Sequence, residues 1–173
     1  GGEGVFGAGA VGFCLLGERG MNRLVVTGAS SGIGRAIAAT FLEHCWEVDN
    51  LSRRPCPEYG VRNHAVDLSD LEAIKGWFEA ESSSFSAADR ICLVHNAAVQ
   101  PQDAIGRLDA EEMARCMRLN VVAPALLSSL FRPLMEAGSS IVYVGSTLSE
   151  KAVGGCVSYV ASKHALVGLM RST

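Results

Sequence analysis

Residues 27–34 read Thr27-Gly28-Ala29-Ser30-Ser31-Gly32-Ile33-Gly34, and their flanks matter more than the glycines themselves. Before them, residues 23–27 form a short apolar, β-branched run of buried-strand length. After them, Ile37, Ala38, Phe41 and Leu42 recur at helical spacing across residues 34–44. A strand running straight into a glycine turn and then a helix is the setting in which such a turn cradles a dinucleotide. Gly28 permits the tight turn, Gly32 lets backbone approach a pyrophosphate, and Gly34 lets helix pack closely on strand. The helix start offers unpaired N–H groups and a partial positive charge to phosphate, and Ser30 and Ser31 add hydroxyl donors.

The rest of the chain continues the alternation. Strands are expected at residues 47–52, 61–66, 90–95 and 140–144. A helix comes after residue 66, its start marked by Ser69 and Glu72 in the manner of a capping box. A long helix is expected over residues 109–137 and a last one over 158–171. Strands separated by helices imply right-handed crossovers and an α/β fold, a doubly wound parallel sheet covered on both faces. Residues 1–20 differ in composition and are set apart as a glycine-rich leader, with residues 21–173 as the dinucleotide-binding domain and Met21 as a natural start. Within the leader, residues 7–12 formally match G-x-G-x-x-G. No strand of adequate length precedes them, and Gly17 and Gly20 interrupt the helix that should come after, so the match is read as a decoy.

Composition narrows the function classes. With 49% hydrophobic and 19% charged residues in 173, the chain can bury a core. Its net charge of −3, with no basic run longer than Arg53-Arg54, argues against nucleic acid or an anionic membrane as partner. Cys14, Cys45, Cys56, Cys92, Cys116 and Cys156 form no Cys-x-x-Cys pair, and the four histidines are scattered, so reduced thiols and no metal site are expected. The apolar stretch over residues 5–16 is too short to span a bilayer and carries no basic n-region, which leaves the cytoplasm as the expected location.

Tyr159 and Lys163 stand four apart, so on a helix both face the same way. A phenol titrates near 10, too high for efficient proton exchange at neutrality, and a neighbouring ammonium stabilises the phenolate. Ser146, thirteen residues before the tyrosine, falls at the carboxyl end of the fifth strand, where a hydroxyl can orient a substrate oxygen. Taken with the glycine turn, this set resembles the short-chain dehydrogenase/reductase family over residues 21–173. The resemblance implies hydride transfer between a nicotinamide and a carbonyl or alcohol, with Asn120, Ser146, Tyr159 and Lys163 as the catalytic set. Lys163 would also hold the nicotinamide ribose, and Asn120 would bind a water linking Lys163 to solvent. It implies strand order 3-2-1-4-5. It places Gly28, Ser30, Ser31, Gly32, Ile33 and Gly34 on the pyrophosphate side, and Asp67 with Leu68 beside the adenine. Asn96 and Ala97 would line the adenosine site, although His95-Asn96-Ala97-Ala98 departs from the family's Asn-Asn-Ala-Gly.

At the end of the second strand, the position of a ribose-binding acid falls on neutral Ser52, with Arg53 and Arg54 next in the chain. That pattern favours NADP(H) over NAD(H); the alternative is that both arginines are solvated surface charge. The alternative for Asp67 is an acid at a helix start; Asn120, four residues before Pro124, fits a locally opened helix, with an exposed helix residue as its alternative. Asp49 and Asn50 fall inside the second strand, where an unpartnered carboxylate is costly, so they either face polar neighbours or distort the strand. Family members continue beyond the equivalent of Thr173 with a sixth strand, a loop over the nicotinamide and a seventh strand. Small-molecule carbonyls or alcohols are the expected substrates. A homo-oligomer is expected, with Met113, Leu119, Leu126, Leu127 and Leu130 as interface candidates, although core packing explains several of them equally well. The competing expectation is a non-catalytic fragment that binds nucleotide or pairs with a full-length partner.

Overall fold

The computed structural model describes residues 21–173. The leader, the match at residues 7–12 and Cys14 lie outside the described residues. Five parallel strands form one sheet in the order β3-β2-β1-β4-β5. They are β1 (Asn22–Thr27), β2 (Glu47–Ser52), β3 (Val61–Ala65), β4 (Arg90–His95) and β5 (Ser140–Tyr143). The helices are α1 (Gly32–Glu43), α2 (Leu71–Phe85), α3 (Ala110–Met117), α4 (Ala123–Phe131) and α5 (Val157–Ser172). Each strand lies within about a residue of its expected place.

The central strands are apolar at successive positions because both of their faces are covered. Val25, Leu51, Ile91 and Leu93 bury one face against Ile74 and Phe85 of α2 and Leu127 and Phe131 of α4. Leu24, Val26, Val48, Cys92 and Val94 bury the other against Ala38, Ile37 and Phe41 of α1. Phe85 and Phe131 meet edge to face at 5.0 Å, and Phe78 meets Phe131 at 5.2 Å. The fully buried Phe85 and Phe131 rings each contribute about 1.5–3 kcal/mol from removed apolar surface.

Asp49 and Asn50 do not distort β2; they have partners. Asp49 is fully buried, 2.6 Å from Arg23 Nη2, 2.8 Å from His64 Nε2 and 3.1 Å from Arg62 Nε. Burial alone would raise its pKa, but the bonds from His64 and Arg23 and the two guanidinium charges hold the carboxyl below its ordinary value. Arg23 in turn donates to Ser84 O at 2.7 Å and lies 3.8 Å above the Phe85 ring.

One local expectation is corrected and one is made definite. The cap of α2 is Asp70, whose carboxylate accepts from the Glu72 and Ala73 amides, because the helix begins one residue later than the Ser69–Glu72 box requires. The long helix over residues 109–137 is broken: α3 passes into a π-helical turn over Arg118–Val122 and then into α4, with a 3-10 turn at Arg132–Leu134 beyond it. Pro124 is the physical reason. It lacks the N–H that an α-helix would direct at the Asn120 carbonyl, and its ring crowds that carbonyl. Of the leucines that could serve an interface or the core, Leu119 and Leu127 lie in the core.

Candidate functional site

Thr27 ends β1, and the next residue turns sharply with φ +73° at Gly28, a left-handed conformation that favours glycine. A Cβ on Gly28 would also stand 3.0 Å from Ala97 Cα. At Gly34, inside the first turn of α1, a Cβ would stand 2.5 Å from the Gly28 carbonyl oxygen and collide with the Asn96 side chain. The turn is therefore wound tightly against the end of β4. Thr27 Oγ1 accepts from the amides of Asn96 and Ala97, each at 3.0 Å, while Asn96 Nδ2 donates to Thr27 O at 2.9 Å and Gly28 O at 3.1 Å. Asn96 thus braces the turn as well as bordering the site. Ser31 caps α1 in extended geometry without a capping bond from its side chain.

In front of this turn lies an open cleft of about 320 Å³. Its walls include Gly28, Ser30, Ser31 and Ile33 from the turn, Arg53 and Arg54 from beyond β2, Asp67 and Leu68 from beyond β3, and Asn96 and Ala97 from beyond β4. Ten of the residues named from sequence as dinucleotide contacts therefore share one cleft at the carboxyl rim of the sheet. Gly32 and Gly34 are in the turn but not in the cleft wall. Ser52, Val66, Ala98, Val99 and Leu119 complete the wall; none of the five was assigned a dinucleotide contact from sequence. The Asp67 carboxylate accepts from the Ser69 amide at 2.9 Å and from the Ser69 hydroxyl at 2.7 Å. These bonds, helped by the charge of Arg53, hold it below the usual carboxylate range.

The second cluster surrounds α5. Lys163 is buried, 4% exposed, and its Nζ lies 5.6 Å from the centre of the Tyr159 ring, so the two side chains share one side of the helix. Lys163 donates to the Val144 carbonyl at 2.9 Å, which places the ammonium at the carboxyl end of β5. Burial lowers its pKa. Ser146 lies two residues beyond Val144 and caps the 3-10 turn Thr147–Ser149, which packs on α5. Its oxygen accepts from the Leu148 amide at 3.1 Å, leaving its proton to donate. Tyr159, Lys163 and Ser146 do not line the 320 Å³ cleft.

Asn120 is buried, not exposed. The π turn aims its amide at Val99, Ser162 and Cys116, the last through a 3.3 Å bond from Nδ2 to Sγ. Its oxygen accepts from Val99 N at 2.9 Å. Its nitrogen donates to Val99 O and to Ser162 Oγ, each at 2.9 Å. Val99 lines the cleft and Ser162 precedes Lys163, so Asn120 joins the cleft wall to the helix that carries the phenol and ammonium.

Sequence reasoning passed over Asp103. Its buried carboxylate accepts from the Ser158 amide at 3.1 Å and from the Ser158 hydroxyl, capping α5 from a distant loop; Cys156, the local cap residue, contributes no side-chain capping bond. The Ser158 hydroxyl, with its amide, holds the Asp103 carboxyl below the ordinary value against a smaller desolvation effect. No local pattern signals such a cap, because its partner is 55 residues away. His95 was noted only as a departure from the family pattern. Its ring is buried, shares a 2.9 Å hydrogen bond with Ser128 Oγ, and lies tilted against Tyr143 with ring centres 4.9 Å apart.

The chain is 35% identical over 155 residues to a benzil reductase ((S)-benzoin forming) of Bacillus subtilis, covering 84% of this chain and 63%, under two thirds, of that relative's length. Its fold matches 4-hydroxyisoleucine dehydrogenase complexed with NADH, with TM-score 0.78, 28% identity, and coverage of 87% of this chain and 67% of that one. It also matches a metagenomic short-chain oxidoreductase in complex with NADP, with TM-score 0.76, 30% identity, and coverage of 87% and 73%. The family model for short chain dehydrogenases matches residues 22–173, and the chain belongs to that family.

Proposed function

We propose that the protein is an oxidoreductase that uses NADP(H) in preference to NAD(H) to interconvert a small carbonyl compound and its alcohol. The observation that carries this reading is the pairing of a buried ammonium with a phenol on one side of α5, at the same rim of the sheet as the glycine-turn cleft. The residues present fit a dinucleotide. Gly28 and Gly34 keep the turn clear of side chains, the start of α1 offers its amides, and Arg53 and Arg54 border the cleft just past β2. The preference for a 2′-phosphate rests on those two cations and on neutral Ser52 where a ribose-binding acid would stand.

A bound nicotinamide supplies or accepts the hydride. The protein's own residues handle the proton and the oxygen. In the reducing direction, Tyr159 donates its phenolic proton to the developing alkoxide. Lys163 lowers the cost of the phenolate by its charge. Burial makes that ammonium less stable on its own, which strengthens its interaction with any anion formed beside it. Ser146 donates its free hydroxyl proton to the substrate oxygen and orients it. Asn120 keeps the Val99 segment and α5 in register through Ser162.

The test is loss of NADPH absorbance on mixing with a panel of ketones and diketones. Benzil is a first candidate, given the similarity to a benzil reductase. Tyr159→Phe should lower kcat by about 10²–10⁴-fold with little change in cofactor affinity. Equal rates for the two proteins overturn the mechanism.

A further inference from the structure

Asn50 lies in a doubly covered strand of a parallel sheet, where apolar side chains are the rule, and with Asn63 it forms a polar strut between two parts of the cleft. Asn50 is fully buried in β2. Its Oδ1 accepts from the Ala29 amide, inside the glycine turn, at 2.9 Å. Its Nδ2 donates to Asn63 Oδ1 at 2.9 Å and to the Arg54 carbonyl at 3.4 Å. Asn63, on β3, grips the loop beyond Arg54: its Oδ1 accepts from Cys56 N at 2.7 Å and its Nδ2 donates to Cys56 O at 3.3 Å. Cys56 is buried, so this grip anchors the loop at its middle, and Arg35 on α1 clasps Glu58 further along. The run Ala29, Asn50, Asn63, Cys56 thus ties the turn to the segment that starts with Arg53 and Arg54.

Arg53 and Arg54 are themselves exposed, and long exposed cations lose rotamer entropy whenever they are fixed on a ligand. Holding the backbone beneath them at a set distance from the phosphate turn reduces what has to be ordered on binding. We propose that Asn50 and Asn63 are positioning residues for cofactor selection. They hold the Arg53-Arg54 segment against the glycine turn so that both arginines meet a 2′-phosphate. The proposal rests on the NADP(H) reading above. It explains why two polar residues lie in consecutive strands of the sheet, one of them wholly buried.

The test uses NADP⁺ and NAD⁺ binding by calorimetry, which needs no turnover. Asn63→Ala is the first variant, because the side chain lies at the sheet's outer strand and its loss leaves the core intact. It should weaken NADP⁺ about tenfold while NAD⁺ changes by less than about twofold, so the preference collapses. Asn50→Ser, with a thermal melt to verify folding, should do the same more strongly. An unchanged preference, or equal weakening of both cofactors, overturns the positioning role and leaves only a structural one. Wild-type protein that binds neither cofactor, or prefers NAD⁺, overturns the NADP(H) reading itself.

Discussion

Acid should destabilise this protein through His95 before its carboxylates titrate. The ring is 3% exposed, one nitrogen is bonded to Ser128, and the other, Nδ1, has no partner among the described residues. A proton there would place an unpaired N–H⁺ in the core, and burial lowers the pKa of His95 to about 3. The unfolded chain takes up that proton near 6.5. Between these values the unfolded state binds more protons, so stability rises with pH. The contribution is fully present above 6.5 and is lost progressively as pH falls toward 3. At about 1.4 kcal/mol per pKa unit, the whole window is worth on the order of 5 kcal/mol. Acidification from about pH 8 to about pH 5 should by itself cost about 2 kcal/mol. The assay is urea unfolding across that range for wild type and His95→Asn. Groups common to both proteins cancel in the difference, so the wild-type curve should fall about 2 kcal/mol further than the variant's. Parallel curves would show that the buried ring titrates normally, and the account of its burial would be wrong.

The geometry dictates three further outcomes. Gly34→Ala forces a methyl against the Gly28 carbonyl, which is backbone and cannot swing aside, so it should cost about 1–3 kcal/mol in chemical unfolding and weaken dinucleotide binding. Asp49→Asn leaves Arg23 buried without its carboxylate, and should lower unfolding free energy by about 3–5 kcal/mol without altering the ratio of NADP⁺ to NAD⁺ affinity. Asp103→Ala removes the distant cap of α5; kcat should fall more than KM rises, because Tyr159 is the next residue after the capped Ser158, and Asp103→Asn should recover part of the loss.

The fold was legible because its signals are local. The short apolar runs of β1 and β4 can be read as doubly covered strands, and the glycine turn after β1 calls for a helix at once. The cleft was legible for the same reason: its residues stand directly after strand ends, where position along the chain fixes position in space. The features that escaped reading depend on contacts between distant segments. Asp49 looked misplaced until Arg23, Arg62 and His64 arrived from neighbouring strands. Asp103 showed no reason to matter until the loop bearing it met the start of α5. The break in the helix at Asn120 lay between these cases. Pro124 announces it, but the side chain's grip on Val99 and Ser162 exists only in the folded chain.

The central claim is that Tyr159 and Lys163 serve hydride transfer at a nicotinamide held by the glycine turn. Mass spectrometry of the product alcohol formed from NADPH deuterated at its transferable position reads this directly. A deuterium on the carbinol carbon with wild-type protein, and none above background with Tyr159→Phe, is the predicted result. Tight NADPH binding with no deuterium transferred to any carbonyl, or equal transfer by both proteins, contradicts it.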